Sequence, residues 1–204
     1  MSAVRSYDEY VGLDALLGAA RPVAAGGSPE VSAAERFFIV CHQTSELWLS
    51  QAHRDLRLAA DLVDRRDLDR ALPPIRRAKT VLGLIIATAR DMAQLSRAHF
   101  DAFRPALAGT SGAQSAQFTL LLKGMDNPYV FQLSSRLQDC DPREVRRDRL
   151  VQVWDELDEF LARAEEWRRL HIELARHFVG GRRGTGGTSG VAYLEGRANA
   201  LAVG

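Results

Sequence analysis

The stretch from about Arg143 to Phe178 constrains the fold of this chain more than any other. Leu150, Trp154, Leu157, Leu161, Ala164, Trp167, His171, Leu174 and Phe178 recur at steps of three and four, the spacing that lines side chains along one face of an α-helix. A helix this long cannot bury its stripe alone and needs partners of the same kind. Phe38, Cys41, Ser45, Trp48, Ala52, Leu56 and Ala59 form a second stripe, on a helix that Ser32 is placed to cap. Ile75, Ala78, Leu82, Ile85, Ala89 and Met92 form a third, with Pro73 and Pro74 marking where that helix restarts. Segments of alternating β-branched residues are few. The expected class is therefore all-α, a helical bundle that makes one domain of residues 1–204.

Turn signals fall between the stripes. Pro22 to Pro29 reads as a loop, Ser96 precedes a short helix that Pro105 should kink or stop, and GTSGAQS at 109–115 is a turn. Asp126-Asn127-Pro128 is another, and Gly180-Gly181 ends the long helix through the left-handed conformation that glycine tolerates. With 27 basic and 26 acidic residues the net charge is +1, so no global field attracts nucleic acid or an anionic membrane. No window approaches 18 uninterrupted apolar residues, and the opening residues lack the basic-then-apolar pattern of an export signal. Cys41 and Cys140 allow at most one bridge and match no zinc spacing, which suits a reducing cytosol and a cytoplasmic location.

Five histidines carry the candidate chemistry: His42, His53, His99, His171 and His177. His171 and His177 point to different faces, and His42 lies about 16 Å from His53 along a helix axis, so neither pair chelates zinc from one helix. Haem needs only one protein ligand, and His171 on its apolar stripe is the best-placed candidate; the same position also suits a core histidine bonded to a carbonyl. His42 follows Phe38 by one turn, so the pair either holds a planar ligand or is a core ring beside a histidine bonded to a neighbouring helix. Phe100, Arg104 and Leu107 share a face unless Pro105 swings Leu107 away. Arg104 has the fork that matches a carboxylate, and equally reads as a solvated arginine. In GGRRGTGGTSGVAYL, glycine N–H groups with Thr185, Thr188 and Ser189 make either an anion site or a floppy loop. A P-loop is excluded, since no lysine follows the last glycines and a helix precedes them.

Taken in order, FFIVCHQTSELWL, HFDAFRPALAGTSGAQSAQF and WRRLHIELARHFVGGRRGTGGTSGVAYL resemble the tryptophan 2,3-dioxygenase family. The first is similar to its F-I-x-x-H-Q-x-x-E-L-W signature, the second to its Y-x-x-F-R followed by G-x-S-S-G-x-Q-S. The third resembles its W-R-x-x-H followed by G-T-G-G-S-x-G, and SYDEYVGLDALL resembles its Y-x-x-Y-L-x-L-x-x-L-L. The resemblance implies an all-helical haem b enzyme, an oligomer and usually a homotetramer. Such an enzyme uses ferrous iron and O2 to open the indole ring of L-tryptophan to N-formylkynurenine. His171 then stands at the position of the proximal iron ligand. Arg104 and Thr185 stand where the substrate carboxylate is held, with Thr185 also near its ammonium group. Phe38, Phe100 and Leu107 line the indole pocket, Ser111 and Gly112 flank the haem, and His42 accepts a hydrogen bond from the indole N–H. Tyr7 and Tyr10, within an N-terminal segment of about residues 1–30, match tyrosines that reach a neighbouring subunit's site, and residues 180–192 match a substrate and haem loop.

The chain also departs from that pattern. The stretch between Arg104 and His171 is much shorter than in typical members, Phe100 stands in place of a tyrosine, and Ala89 occupies the position of a haem-packing tryptophan. Two other expectations therefore stand beside tryptophan cleavage: oxygenation of a substituted tryptophan or other aromatic amino acid in a biosynthetic pathway, and a haem-binding sensor or carrier without turnover.

Overall fold

A computed structural model describes residues 6–24, 27–184, 189–192 and 194. Among the described residues there are helices, turns and loops and no strands. Two short helices, α1 (Tyr7–Val11) and α2 (Leu13–Ala19), open the chain and bury none of their own residues. Ser6 begins α1 with a reciprocal cap, its hydroxyl accepting from the Glu9 N–H while the Glu9 carboxylate accepts from the Ser6 N–H.

Three long helices carry the core: α3 (Pro29–Asp64), α4 (Leu68–Met92) and α8 (Arg147–Phe178). The middle one, α4, packs along both α3 and α8. The shorter α5 (Arg97–Phe103), α6 (Ala116–Leu122) and α7 (Pro128–Gln138) bridge α3 and α8, each touching both. The apolar stripes meet in one continuous core, with Leu49, Leu56, Ile75, Leu82, Phe103, Leu133, Leu157 and Phe160 almost fully buried. Removing that much apolar surface from water is the main driving force of the bundle.

Several local expectations shift. The cap of α3 is Ser28, not Ser32: Ser28 accepts from the Val31 N–H and Pro29 takes the first helical position, where a missing N–H costs nothing. The stripe on α3 runs through Leu49 rather than Trp48, which is 41% exposed. Pro73 and Pro74 do not restart a helix; α4 begins at Leu68, capped by Asp67, and runs through both prolines. The carbonyls they deprive belong to Asp69 and Arg70, exposed residues of the first turn that water can serve. Also, α4 ends at Met92 and α8 begins at Arg147, each a few residues short of the periodic pattern. Pro105 ends α5 as expected, the chain continuing as a 3-10 turn over Arg104–Leu107. Gly180 closes α8 at φ +59°, its N–H donating to the carbonyls of Ala175 and Arg176.

Candidate haem and substrate site

The bridging arrangement leaves a cavity of about 200 Å³ between α3 and α8, roofed by α4 and closed by the shorter elements. From α3 it receives Phe38, Cys41, His42 and Ser45, and from α4 Ile85, Ala89 and Met92. Phe100 comes from α5, Phe118 and Leu122 from α6, and Leu107, Ser111 and Gly112 from the segment that joins them. On the far side α8 presents Trp167, His171, Leu174, Ala175 and Phe178, and beyond it Gly184, Gly190 and Leu194 complete the wall. Seven of the residues singled out in the sequence thus share one space: Phe38, His42, Phe100, Leu107, Ser111, Gly112 and His171.

His171 enters from the apolar face of α8. Its ring stacks on Trp167 one turn earlier, 4.9 Å between centroids, and Trp167 stacks in turn on Phe118 at 5.2 Å. Burial and the nearby His42 push the His171 imidazole down to about 4, so it is uncharged near neutral pH. Among the described residues its ring has no hydrogen-bond partner, which leaves a nitrogen lone pair facing the cavity.

His42 is held differently. Its Nδ1 lies 2.8 Å from the Phe38 carbonyl oxygen. A carbonyl only accepts, so Nδ1 carries the proton and Nε2 is left as an acceptor. Burial lowers the His42 pKa, with the Phe38 bond and Glu46 opposing it. The ring also packs 4.2 Å from that of Phe38, itself in contact with Phe100 and Phe103. An aromatic wall and a neutral acceptor therefore face one space.

The remaining expected residues lie elsewhere. Arg104 is half-buried and does not line the cavity. Its guanidinium faces a neighbouring recess with Asp101, Pro105, Ala108 and Arg182. There Nη2 donates to the Arg183 carbonyl at 2.6 Å, while the buried Nε has no partner. This is neither a freely solvated arginine nor, without a ligand, a wall of the pocket. Tyr7 and Tyr10 project into solvent, 73% and 77% exposed. Thr185 lies outside the described residues. Sequence reading missed Arg182, whose only signal is its place directly after the Gly180-Gly181 pair that follows α8.

The residues present suit an iron porphyrin. The walls are mostly hydrocarbon and aromatic carbon, as a macrocycle requires, and an unbonded neutral imidazole is available as an axial ligand. Gly184 and Gly190 offer no side chain on that wall, so the backbone itself faces the space there. Among the described residues no helix is long and apolar enough to cross a membrane.

Comparison with known proteins points to one family. The model of the family described as tryptophan 2,3-dioxygenase matches residues 1–127. A tryptophan 2,3-dioxygenase of Polaromonas naphthalenivorans is 28% identical, the match covering 95% of this chain and 86% of the relative. One from Herpetosiphon aurantiacus is 28% identical over 95% of this chain and 93% of its own length. Another, from Kineococcus radiotolerans, is 30% identical over 93% of this chain and 84% of its own. These alignments run over more positions than the chain has residues, so the relatives carry segments that this chain lacks. The family match contains His42 and Arg104, while His171 and the glycine-rich stretch lie beyond it. The chain belongs to the tryptophan 2,3-dioxygenase family.

Proposed function

We propose that this protein is a haem-dependent dioxygenase that cleaves the indole C2–C3 bond of L-tryptophan with O2 to give N-formylkynurenine. One observation carries the reading most directly: two uncharged imidazoles, His42 on α3 and His171 on α8, face the same apolar cavity with different bonding, one anchored and one unanchored.

His171 is the residue that would hold haem b, and Ser111 and Gly112 would flank it. When bound, the haem supplies the activation of O2 that no side chain here provides. The protein's own part is to bind and orient the substrate. Phe38, Phe100 and Leu107 surround the indole with apolar surface and exclude water. His42 Nε2 accepts the indole N–H and so selects one orientation of the ring. An indole N–H is a very weak acid, and a neutral imidazole beside it orients more than it deprotonates. Arg104 receives the carboxylate through its spare donors, a charge that is costly to bury unpaired. Thr185 assists it. Fixing the ring and the carboxylate together removes most of the substrate's freedom before reaction.

The N-terminal segment completes the assembly in this reading. Because α1 and α2 bury nothing of their own and leave Tyr7 and Tyr10 exposed, those tyrosines suit a site on a second copy of the chain in a homo-oligomer. Buried free thiols at Cys41 and Cys140 suit a reducing cytoplasm. Reduced, haem-loaded protein given L-tryptophan and labelled O2 should yield a ring-opened product containing both labelled atoms. Unchanged substrate over intact ferrous haem would reject the activity.

A further inference from the structure

Where α8 ends, one guanidinium gathers three partners. Arg182 Nε donates to the Val179 carbonyl at 3.1 Å and Nη2 to the Phe178 carbonyl at 2.5 Å, so the side chain caps the last carbonyls of the helix. The same Nη2 lies 2.7 Å from Asp101 Oδ1 on α5. Three residues beyond Asp101, Arg104 holds the carbonyl of the very next residue, Arg183. Two consecutive residues of the chain leaving α8 are therefore fastened to two points of the α5 segment.

The backbone of Arg182 is a junction as well. Gly190 returns at φ +68°, and a Cβ on it would stand 2.7 Å from the Arg182 carbonyl oxygen and 3.4 Å from the Gly184 nitrogen. Only glycine fits there, so residues 182 and 190 form the neck of a loop. Gly184 and Gly190, on either side of that neck, both line the cavity. The Arg182 hydrogen bond, followed by the charges of Arg182, Arg97 and Arg104, holds the Asp101 carboxyl below its usual range, so it is ionised at neutral pH. Both partners are more than a third exposed, 37% and 39%, which leaves the pair open to screening by salt.

We propose that Asp101 and Arg182 are positioning residues that hold the neck of the glycine-rich segment in register with Arg104, and through it the place where the substrate carboxylate is received. This rests on the proposed function only in naming the carboxylate. Neither residue touches substrate; the pair fixes how far the glycine-rich wall stands from the α5 segment. Of the two fastenings, the exposed ion pair is the one a single substitution on Asp101 or Arg182 removes; with only the Arg104–Arg183 bond left the segment loosens, which lowers binding of the amino acid while leaving the haem ligand on α8 undisturbed.

The test uses full-length haem-loaded protein with Arg182→Gln, Asp101→Asn, the double variant and Arg182→Lys. Hydrogen exchange of peptides covering residues 180–194 should speed up severalfold in both single variants, with α3, α4 and the body of α8 unchanged. KM for L-tryptophan should rise at least about tenfold while kcat changes less than about twofold and haem content and absorption spectrum stay at wild-type values. The double variant should be no worse than Arg182→Gln alone, because Asp101→Asn removes only a bond that Arg182→Gln has already removed, and Arg182→Lys should recover most of the lost affinity. Wild-type exchange rates in the single variants would overturn the proposal, as would additive effects in the double variant or a loss confined to kcat. If wild-type protein itself fails to bind or turn over L-tryptophan, the proposed function falls, and the exchange measurement still decides the role of the pair.

Discussion

The Nδ1 of His42 lies 2.8 Å from the carbonyl oxygen of Phe38, and the two rings sit 4.2 Å apart. One residue thus fixes both the tautomer and the tilt of the imidazole, turning Nε2 into an acceptor. If that acceptor orients the indole, His42→Ala should lower kcat/KM for L-tryptophan by about tenfold, the worth of one neutral hydrogen bond. Haem content should be retained. A substrate methylated at the indole nitrogen should lose a similar factor with wild-type protein and almost nothing further with the variant. Equal discrimination by both proteins would refute the role.

Haem retention is the measurement for His171. Its pKa of about 4 makes it an uncharged ligand throughout the physiological range. His171→Ala should fail to take up haem stoichiometrically, and added imidazole should restore a ligated spectrum by filling the space left beside Trp167. Full, normally ligated haem in the variant without imidazole would overturn the assignment.

Arg104 keeps a buried Nε without a partner while Nη2 is committed to the Arg183 carbonyl. Its remaining donors are the ones a carboxylate would take. Arg104→Leu should raise KM for L-tryptophan roughly ten- to hundredfold, the range expected for charge-assisted hydrogen bonds, with haem uptake preserved. Tryptamine, which lacks the carboxylate, should bind both proteins alike. An unchanged KM would exclude the carboxylate role.

A second histidine network lies away from the cavity. His53 Nδ1 donates to Gln117 Oε1 at 2.9 Å, and its Nε2 faces the Asn127 amide nitrogen at 3.4 Å, while Tyr129 stacks on the ring. Burial pushes the His53 pKa below its ordinary 6.5 despite the Gln117 bond. The unfolded chain therefore binds this proton more readily than the folded one. Stability is complete above pH 6.5 and is lost as the pH falls, since a protonated Nε2 would set one donor against another. Urea midpoints of the haem-free protein should drop between pH 7 and pH 5. The buried His42 and His171 contribute to that drop. In His53→Gln the drop should be smaller by up to about 1.4 kcal/mol per pH unit, one group's share. An identical drop in both proteins would show that His53 stays uncharged or titrates without consequence.

Much of this was legible before any coordinates. The stripe through Leu157, Trp167, His171 and Phe178 announced both the long last helix and the face it buries, because helical spacing is a local property of the chain. The stop at Gly180 and the break at Pro105 were equally local. Where neighbours decide, sequence reading went astray. Trp48 and Leu49 compete for one stripe, and packing against α4 selected Leu49. The two prolines of α4 looked like a boundary until the cap at Asp67 set the start of the helix one and a half turns earlier.

Residue order alone therefore settled the helical class and most of the faces that meet, and it singled out the side chains here proposed to take an iron, an indole and a carboxylate. The fold decided the rest: that His42 and His171 share one cavity, that Arg104 stands beside it rather than in it, and that Asp101 reaches Arg182. Spacing of three and four along a helix is written into consecutive residues, whereas these relations join groups separated by scores of residues. Their distances depend on how α3, α4 and α8 pack, and no local pattern encodes that.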